Sequence, residues 1–145
     1  MESLPIPELI SSLIERGRWP RNEHEASQQN LKPIVPIERV HAIQPHVPTL
    51  FFFCPPFHTV EKEIPFNGWW KSRDAAIHEI NPELAIDIGD FGLGSDSPIL
   101  LDYRRNRTEP SVIYLKWDET PARENHWVTV AETFEEFAAL IGLES

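Results

Sequence analysis

One cysteine, Cys54, stands in a chain of 145 residues, so no internal disulfide framework is available and the thiol content fits a reducing compartment. Long apolar runs are missing too. Residues 1–30 hold no apolar core of a leader segment, and no run approaches the ~18 residues a membrane span requires. The expectation is a soluble, cytoplasmic protein with no membrane contact. Positive charge is scarce: 13 Lys and Arg against 23 Asp and Glu give a formal net charge of −10. Phosphate backbones are bound by lysine and arginine, so this balance argues against direct nucleic-acid binding. It favours steering toward basic partners.

Signatures of catalysis are equally sparse. Six histidines, at 24, 41, 46, 58, 78 and 126, show neither His-x-x-x-His nor His-Glu-x-x-His spacing, and no cysteine pair joins them. Asp87, Asp90, Asp96 and Asp102 do not match a calcium loop, and strand alternation would scatter them over different faces. No metal or cofactor is expected. Asp90-Phe91-Gly92 spells the magnesium triplet of protein kinases without any accompanying kinase segment, and no Gly-Lys-Ser/Thr completes a P-loop. Cys54 follows three phenylalanines and reads as a small buried hydrophobe. His58, between Phe57 and Thr59, reads as a hydrogen-bonded structural residue, and Glu61/Glu63 and Glu135/Glu136 as solvated pairs. Nothing requires an enzyme.

What is present is a packed core. A hydrophobic fraction of 41% and five tryptophans suit one domain over 1–145 that buries roughly two-thirds of its unfolded surface. The 14 prolines crowd residues 5–65, which predicts a loop-rich N-terminal half with short elements, about 1–65. Ile6, Leu9, Ile10, Leu13 and Ile14 predict an amphipathic helix over 6–16, with Pro7 in its first turn and Gly17 beyond its end. Asn22 opens a second short helix, and Ile37–Ile43 makes one or two turns. Thr49–Cys54 reads as a strand closed by Pro55-Pro56, while 59–80 stays ambiguous.

The C-terminal half, about 80–143, is plainer. Strands at about 84–91, 98–103, 111–117 and 126–130 suit an antiparallel meander. In 111–117, Ile113, Leu115 and Trp117 are expected on the inner face, and Val112, Tyr114 and Lys116 on the outer. Thr133-Phe134-Glu135-Glu136 is a capping box for a last helix with Phe134, Phe137, Ala138 and Ile141 buried and Gly142 at its end. The fold class is therefore α+β: a mainly antiparallel sheet with N-terminal and C-terminal helices packed on it.

At the junction of the first two of these strands, between positions 89 and 94, fall Gly89, Gly92 and Gly94, three of six glycines in the chain. They mark backbone that needs positive φ or admits a close neighbour. Ser95, Asp96 and Ser97 close the bend, and Pro98 opens the next strand. Arg18-Trp19-Pro20, Gln29-Asn30-Leu31-Lys32-Pro33, Pro55-Pro56-Phe57-His58-Thr59-Val60, the 89–98 junction and His126-Trp127-Val128-Thr129-Val130 together resemble the SUKH superfamily. These Smi/Knr-type proteins include bacterial toxin-immunity proteins and fungal cell-wall regulators.

The resemblance implies a non-catalytic binding protein that neutralises a cognate toxin such as a nuclease, its partner a basic toxin domain. Partner contact is then expected from acidic side chains around the sheet, Asp90, Asp96 and Asp102, with Trp69 or Trp70 as an apolar anchor. Gly89, Gly92, Gly94, Ser95 and Pro98 would shape the surface. Whether both indoles are buried or one stays at the surface is left open by the sequence. Two other readings stand beside this one. One is a regulatory scaffold of the fungal kind; the other is a small hydrolase using His58 or His126 with a nearby aspartate.

Overall fold

Both faces of a twisted antiparallel sheet are covered, one by helices and the other by a string of tight turns. The computed structural model describes residues 4–29, 31–45, 49–92, 97–118, 120–122 and 124–143. In chain order the elements are α1 (Glu8–Glu15), α2 (Glu23–Gln28), α3 (Ile37–His41), β1 (Phe51–Phe52), β2 (His58–Thr59) and α4 (Val60–Glu63). Short 3₁₀ turns follow between Gly68 and Leu84, then β3 (Ala85–Asp90), β4 (Pro98–Asp102), β5 (Ser111–Lys116), β6 (His126–Ala131) and α5 (Phe134–Ile141). The sheet order is β1-β3-β4-β5-β6, all antiparallel, and β2 shares the outer edge of β3 with β1. The fold is α+β, with the C-terminal meander as its sheet.

Local signals explain the helix ends. Ile10 and Leu13 of α1 are buried, Leu9 and Ile14 pack beside them, and Gly17 turns the chain away at φ 74°. Asn22 accepts the Glu25 N–H at 2.9 Å to start α2, and Thr133 accepts the Glu136 N–H at 3.1 Å to start α5. Gly142, at φ 80°, ends α5. Arg39 donates to the Ala139 and Leu140 carbonyls there, placing a cation at the negative end of the helix.

Ile86, Ile88, Ile99, Leu101, Val112 and Tyr114 form one face of the sheet and bury against α1, α5 and Trp19. Ala85, Leu100 and Ile113 form the other and bury against Val60, Trp70, Ala75 and Ile80. The expected outer face of β5 is thus buried as well: Val112 and Tyr114 pack under α1, α5 and Trp19, while the turns of 60–84 cover Ile113 on the face expected to be inner. Each large apolar side chain so buried contributes about 1.5–3 kcal/mol. Thr49–Cys54 contributes only a two-residue strand, because the chain leaves the sheet edge before Pro55. The ambiguous 59–80 segment is α4 followed by 3₁₀ turns, a structure that tertiary packing supports better than local periodicity. Among the described residues no helix is long and apolar enough to cross a membrane.

Candidate functional site

Where the edge strand is interrupted, the surface opens into a cleft. β1 pairs with Asp90 and Gly89, β2 resumes the pairing at Asp87 and Ile86, and Cys54–Phe57 loops outward between them with a cis Pro55–Pro56 bond. That loop makes one wall. The start of α2 makes a second, and α4 with the turn carrying Asn67–Trp70 makes a third. They enclose about 1120 Å³. Gly89 is needed for the strand edge to close: a Cβ there would lie 2.5 Å from the Phe51 carbonyl oxygen. Its role is close approach, not positive φ.

The floor is acidic. In β3 the register to β4 shifts between Asp87 and Gly89, so Ile88 is an extra residue, a β-bulge. Asp87 then opposes Leu100 and Asp90 opposes Pro98, and both carboxyls line the same cleft. This corrects the expectation that alternation separates the aspartates, since one inserted residue restores the face. Asp102 opposes Ala85 and shares that face, but at the far end of the strands. It binds Arg104 through both carboxyl oxygens, at 2.9–3.1 Å, and does not line the cleft.

Asp90 is buried and accepts the Ser97 N–H at 3.2 Å. Ser97 in turn donates to the Leu115 carbonyl at 2.6 Å and accepts from Gln44 at 3.0 Å, so the mouth of the 89–98 junction is tied to α3's end and to β5. Asp87 is buried against Glu63. Burial, then the negative charge of Glu63 and the bond between the two carboxyls, hold Asp87 well above the usual carboxylate range. Glu63 is also raised by burial, opposed by hydrogen bonds from Asp87 and Trp70 and by the charge of His58. The two carboxyls therefore titrate as one coupled pair, in which burial and mutual repulsion favour the form that holds a single proton between them. Glu63 is not the solvated residue expected from its pairing with Glu61.

The two adjacent indoles divide the work. Trp70 is 1% exposed, donates Nε1–H to Glu63 at 3.1 Å, and stacks on Trp127 with centroids 6.1 Å apart. Trp69, edge-on to it at 5.0 Å, is half-buried and lines the cleft. Phe66 is 91% exposed on the rim. Cys54 and His58 also border the cleft; Cys54 is half-buried and His58 exposed, so neither has the packed position expected from sequence. Gly92 is buried just past β3, and Pro98 opens β4 against the cleft. Gly94, Ser95 and Asp96 lie outside the described residues.

A second polar cluster sits away from the cleft. His126 Nδ1 is 2.6 Å from Glu79 Oε2, and Glu79 Oε1 accepts the Trp127 N–H at 2.9 Å. Burial would raise the Glu79 carboxyl, but the Trp127 N–H and His126 outweigh it and hold it below the ordinary range. The hydrogen bond to Glu79 raises His126. The carboxylate that His126 bonds is a glutamate, Glu79, and Asp118 acts on the ring by its charge.

Of the expected residues, then, Trp69, Trp70, Asp90, Gly89 and Pro98 converge on one cleft or its support. Sequence reasoning missed Glu63 and Phe66. Their separation of 24 and 21 residues from Asp87 left no local signal; only an unmatched exposed phenylalanine beside the Asn67-Gly68 turn could have pointed there. Compared with known proteins, the chain matches no family model, no curated protein and no solved structure.

Proposed function

We propose that this chain is a non-catalytic binding protein of the SUKH type that neutralises a toxin by gripping it, with the cleft beside Trp69 as its contact surface. The observation that carries the reading is the make-up of that cleft: exposed Phe66 and half-buried Trp69 line it together with half-buried Glu63 and buried Asp87 and Asp90. Aromatic anchors beside desolvated charge are the features from which protein interfaces draw most of their energy. A formal charge of −10 favours a basic partner, and nuclease toxins with basic clefts meet that description. The SUKH resemblance supplies the word immunity.

Tagged protein captured from its native cell, with bound proteins identified by mass spectrometry, tests this. A basic toxin domain that co-purifies with its activity abolished supports the reading. Recovery of cell-wall or signalling proteins instead would favour the regulatory scaffold. A small-hydrolase reading draws on one observation, the placement of His58 beside the Glu63–Asp87 pair. It predicts turnover of ester, amide or phosphoester substrates that His58→Ala abolishes, whereas a binding protein shows no turnover.

A further inference from the structure

The floor of the cleft contains an acceptor that the fold itself leaves unmet. Asp87 is only 8% exposed, it lines the cleft, and its Oδ1 makes no hydrogen bond. Buried polar atoms in native structures are nearly always paired, so this orphan, closed off from solvent just beneath a cleft that its own residue lines, marks a place where the cleft wall can shift to meet an arriving donor. The neighbouring Glu63 already takes the Trp70 N–H on Oε1, which fixes its carboxylate in place. The rings of Phe53, Phe57 and Trp69 line the same cleft.

We propose that the Glu63–Asp87 carboxyl pair receives the guanidinium of an arginine side chain presented by the protein partner. This rests on the partner-binding reading above and names the chemistry that recognition would use. A guanidinium is planar, permanently charged and weakly hydrated, and it offers five N–H donors. It can satisfy Oδ1 of Asp87 and the charge of the pair at once while its face lies on an aromatic ring. A lysine ammonium has no plane to stack. A metal ion needs several oxygen or nitrogen ligands, and among the described residues no group of three or more His, Cys, Asp or Glu is placed to hold one. The 1120 Å³ of the cleft exceeds the roughly 300–1,000 Å³ of small-ligand pockets, which leaves room for polypeptide on either side of the inserted side chain.

The charges facing the pair come from every wall: Lys62 on α4, His58 on β2, Asp90 on β3, and Arg21 and Glu23 at the start of α2. Arg21 is engaged with Glu25 at 2.7 Å. A guanidinium favours the doubly ionised pair, so its arrival sends the pair's shared proton to solvent and affinity rises with pH.

The test is an NMR titration of the ¹⁵N-labelled full chain with acetyl-Gly-Arg-Gly-amide, read at the indole N–H signals of Trp69 and Trp70. The expected result is a saturable shift that becomes at least about tenfold weaker with the citrulline peptide, and in Glu63→Gln and Asp87→Asn proteins. If either variant fails to fold, the arginine-against-citrulline comparison on the unaltered protein decides alone. Equal responses to both peptides, or no saturable shift with either, overturn the proposal. Free L-arginine binding where the blocked peptide does not overturns it in favour of a small-molecule site. A captured toxin held equally well by the Glu63→Gln and Asp87→Asn proteins removes the arginine receptor and leaves the partner-binding reading standing. Normal peptide binding with no toxin ever captured supports the receptor and removes the toxin.

Discussion

Gln29 takes the place of a neighbouring strand for Phe52. Its side-chain amide donates to the Phe52 carbonyl at 2.8 Å and accepts the Phe52 N–H at 2.9 Å, and the whole group is buried. A primary amide reproduces the donor and acceptor of a peptide unit, so the outer edge of the two-residue strand β1 is sealed without another strand. Gln29→Leu would leave both backbone groups unmet. Each costs about 1–3 kcal/mol, so the variant should lose about 2–6 kcal/mol. A urea denaturation series checks this: the midpoint should fall with the slope unchanged. A midpoint within error of the parent would show that the bridge contributes nothing.

Gly89→Ala should act on the same edge from the other side. Its Cβ would meet the Phe51 carbonyl at 2.5 Å, and backbone cannot yield as a flexible side chain can. β1 must separate from β3, at about 1–3 kcal/mol for the overpacking. Hydrogen exchange should report it first, as faster exchange at the Phe53 N–H, which is bound to the Ile88 carbonyl at 3.0 Å.

The sheet and the helix ends were legible in the sequence because their signals are local. Asn22, Thr133 and Gly142 act within a turn of where they stand, and β4 and β5 each begin at a proline, Pro98 in the one and Pro110 just before the other. The burial of both faces of β5 was not legible, since it takes helices α1 and α5 on one side and 3₁₀ turns 30 to 50 residues away on the other, and the packing of those turns has no period to read. The cleft was half legible. Trp69 and Asp90 stand out by residue type, but Glu63 joins Asp87 only through the docking of α4 on β3, and a single bulged residue, Ile88, decides which face Asp87 and Asp90 share.

Asp87 should make stability depend on pH in an unusual direction. Its folded value is raised by burial and by Glu63, so its contribution is fully present below the ordinary carboxylate value of about 3.9 and is lost as pH rises through the raised value. Asp87→Asn removes that loss. Urea unfolding of both proteins across pH should show the difference in their stability moving in favour of the Asn variant as pH rises. Parallel curves would mean that Asp87 titrates alike in the folded and unfolded chains.

His126 offers an independent reading of the second polar cluster. Its hydrogen bond to Glu79 raises its folded value, so the stabilisation is present below the unfolded value of about 6.5 and fades as pH rises through the raised one. The imidazole titration followed by NMR should fall in Glu79→Gln protein. The ring is exposed, so the effect should shrink with added salt. A titration indifferent to Glu79→Gln would sever the pair.

The rim and the wall of the cleft should separate binding from folding. Phe66 is 91% exposed, so Phe66→Ser removes apolar contact surface and should leave the unfolding midpoint within about 0.5 kcal/mol of the parent. Trp69 is half-buried and edge-on to Trp70, so Trp69→Ala should lower both stability and partner affinity. If the cleft is the contact surface, Phe66→Ser should weaken a captured partner about five- to tenfold, and Trp69→Ala at least about thirtyfold, the behaviour of an interface anchor worth about 2 kcal/mol or more. Arg105 supplies the control. It lies at the tip between β4 and β5, bound to Glu132 on the protein surface, and it does not line the cleft, so Arg105→Ala should leave affinity unchanged. Surface plasmon resonance across ionic strength completes the test, because steering by a −10 chain should slow association as salt rises, while loss of the aromatic contacts should speed dissociation. An on-rate indifferent to salt would rule out electrostatic steering, and full affinity in both aromatic variants would move the contact surface elsewhere on the molecule.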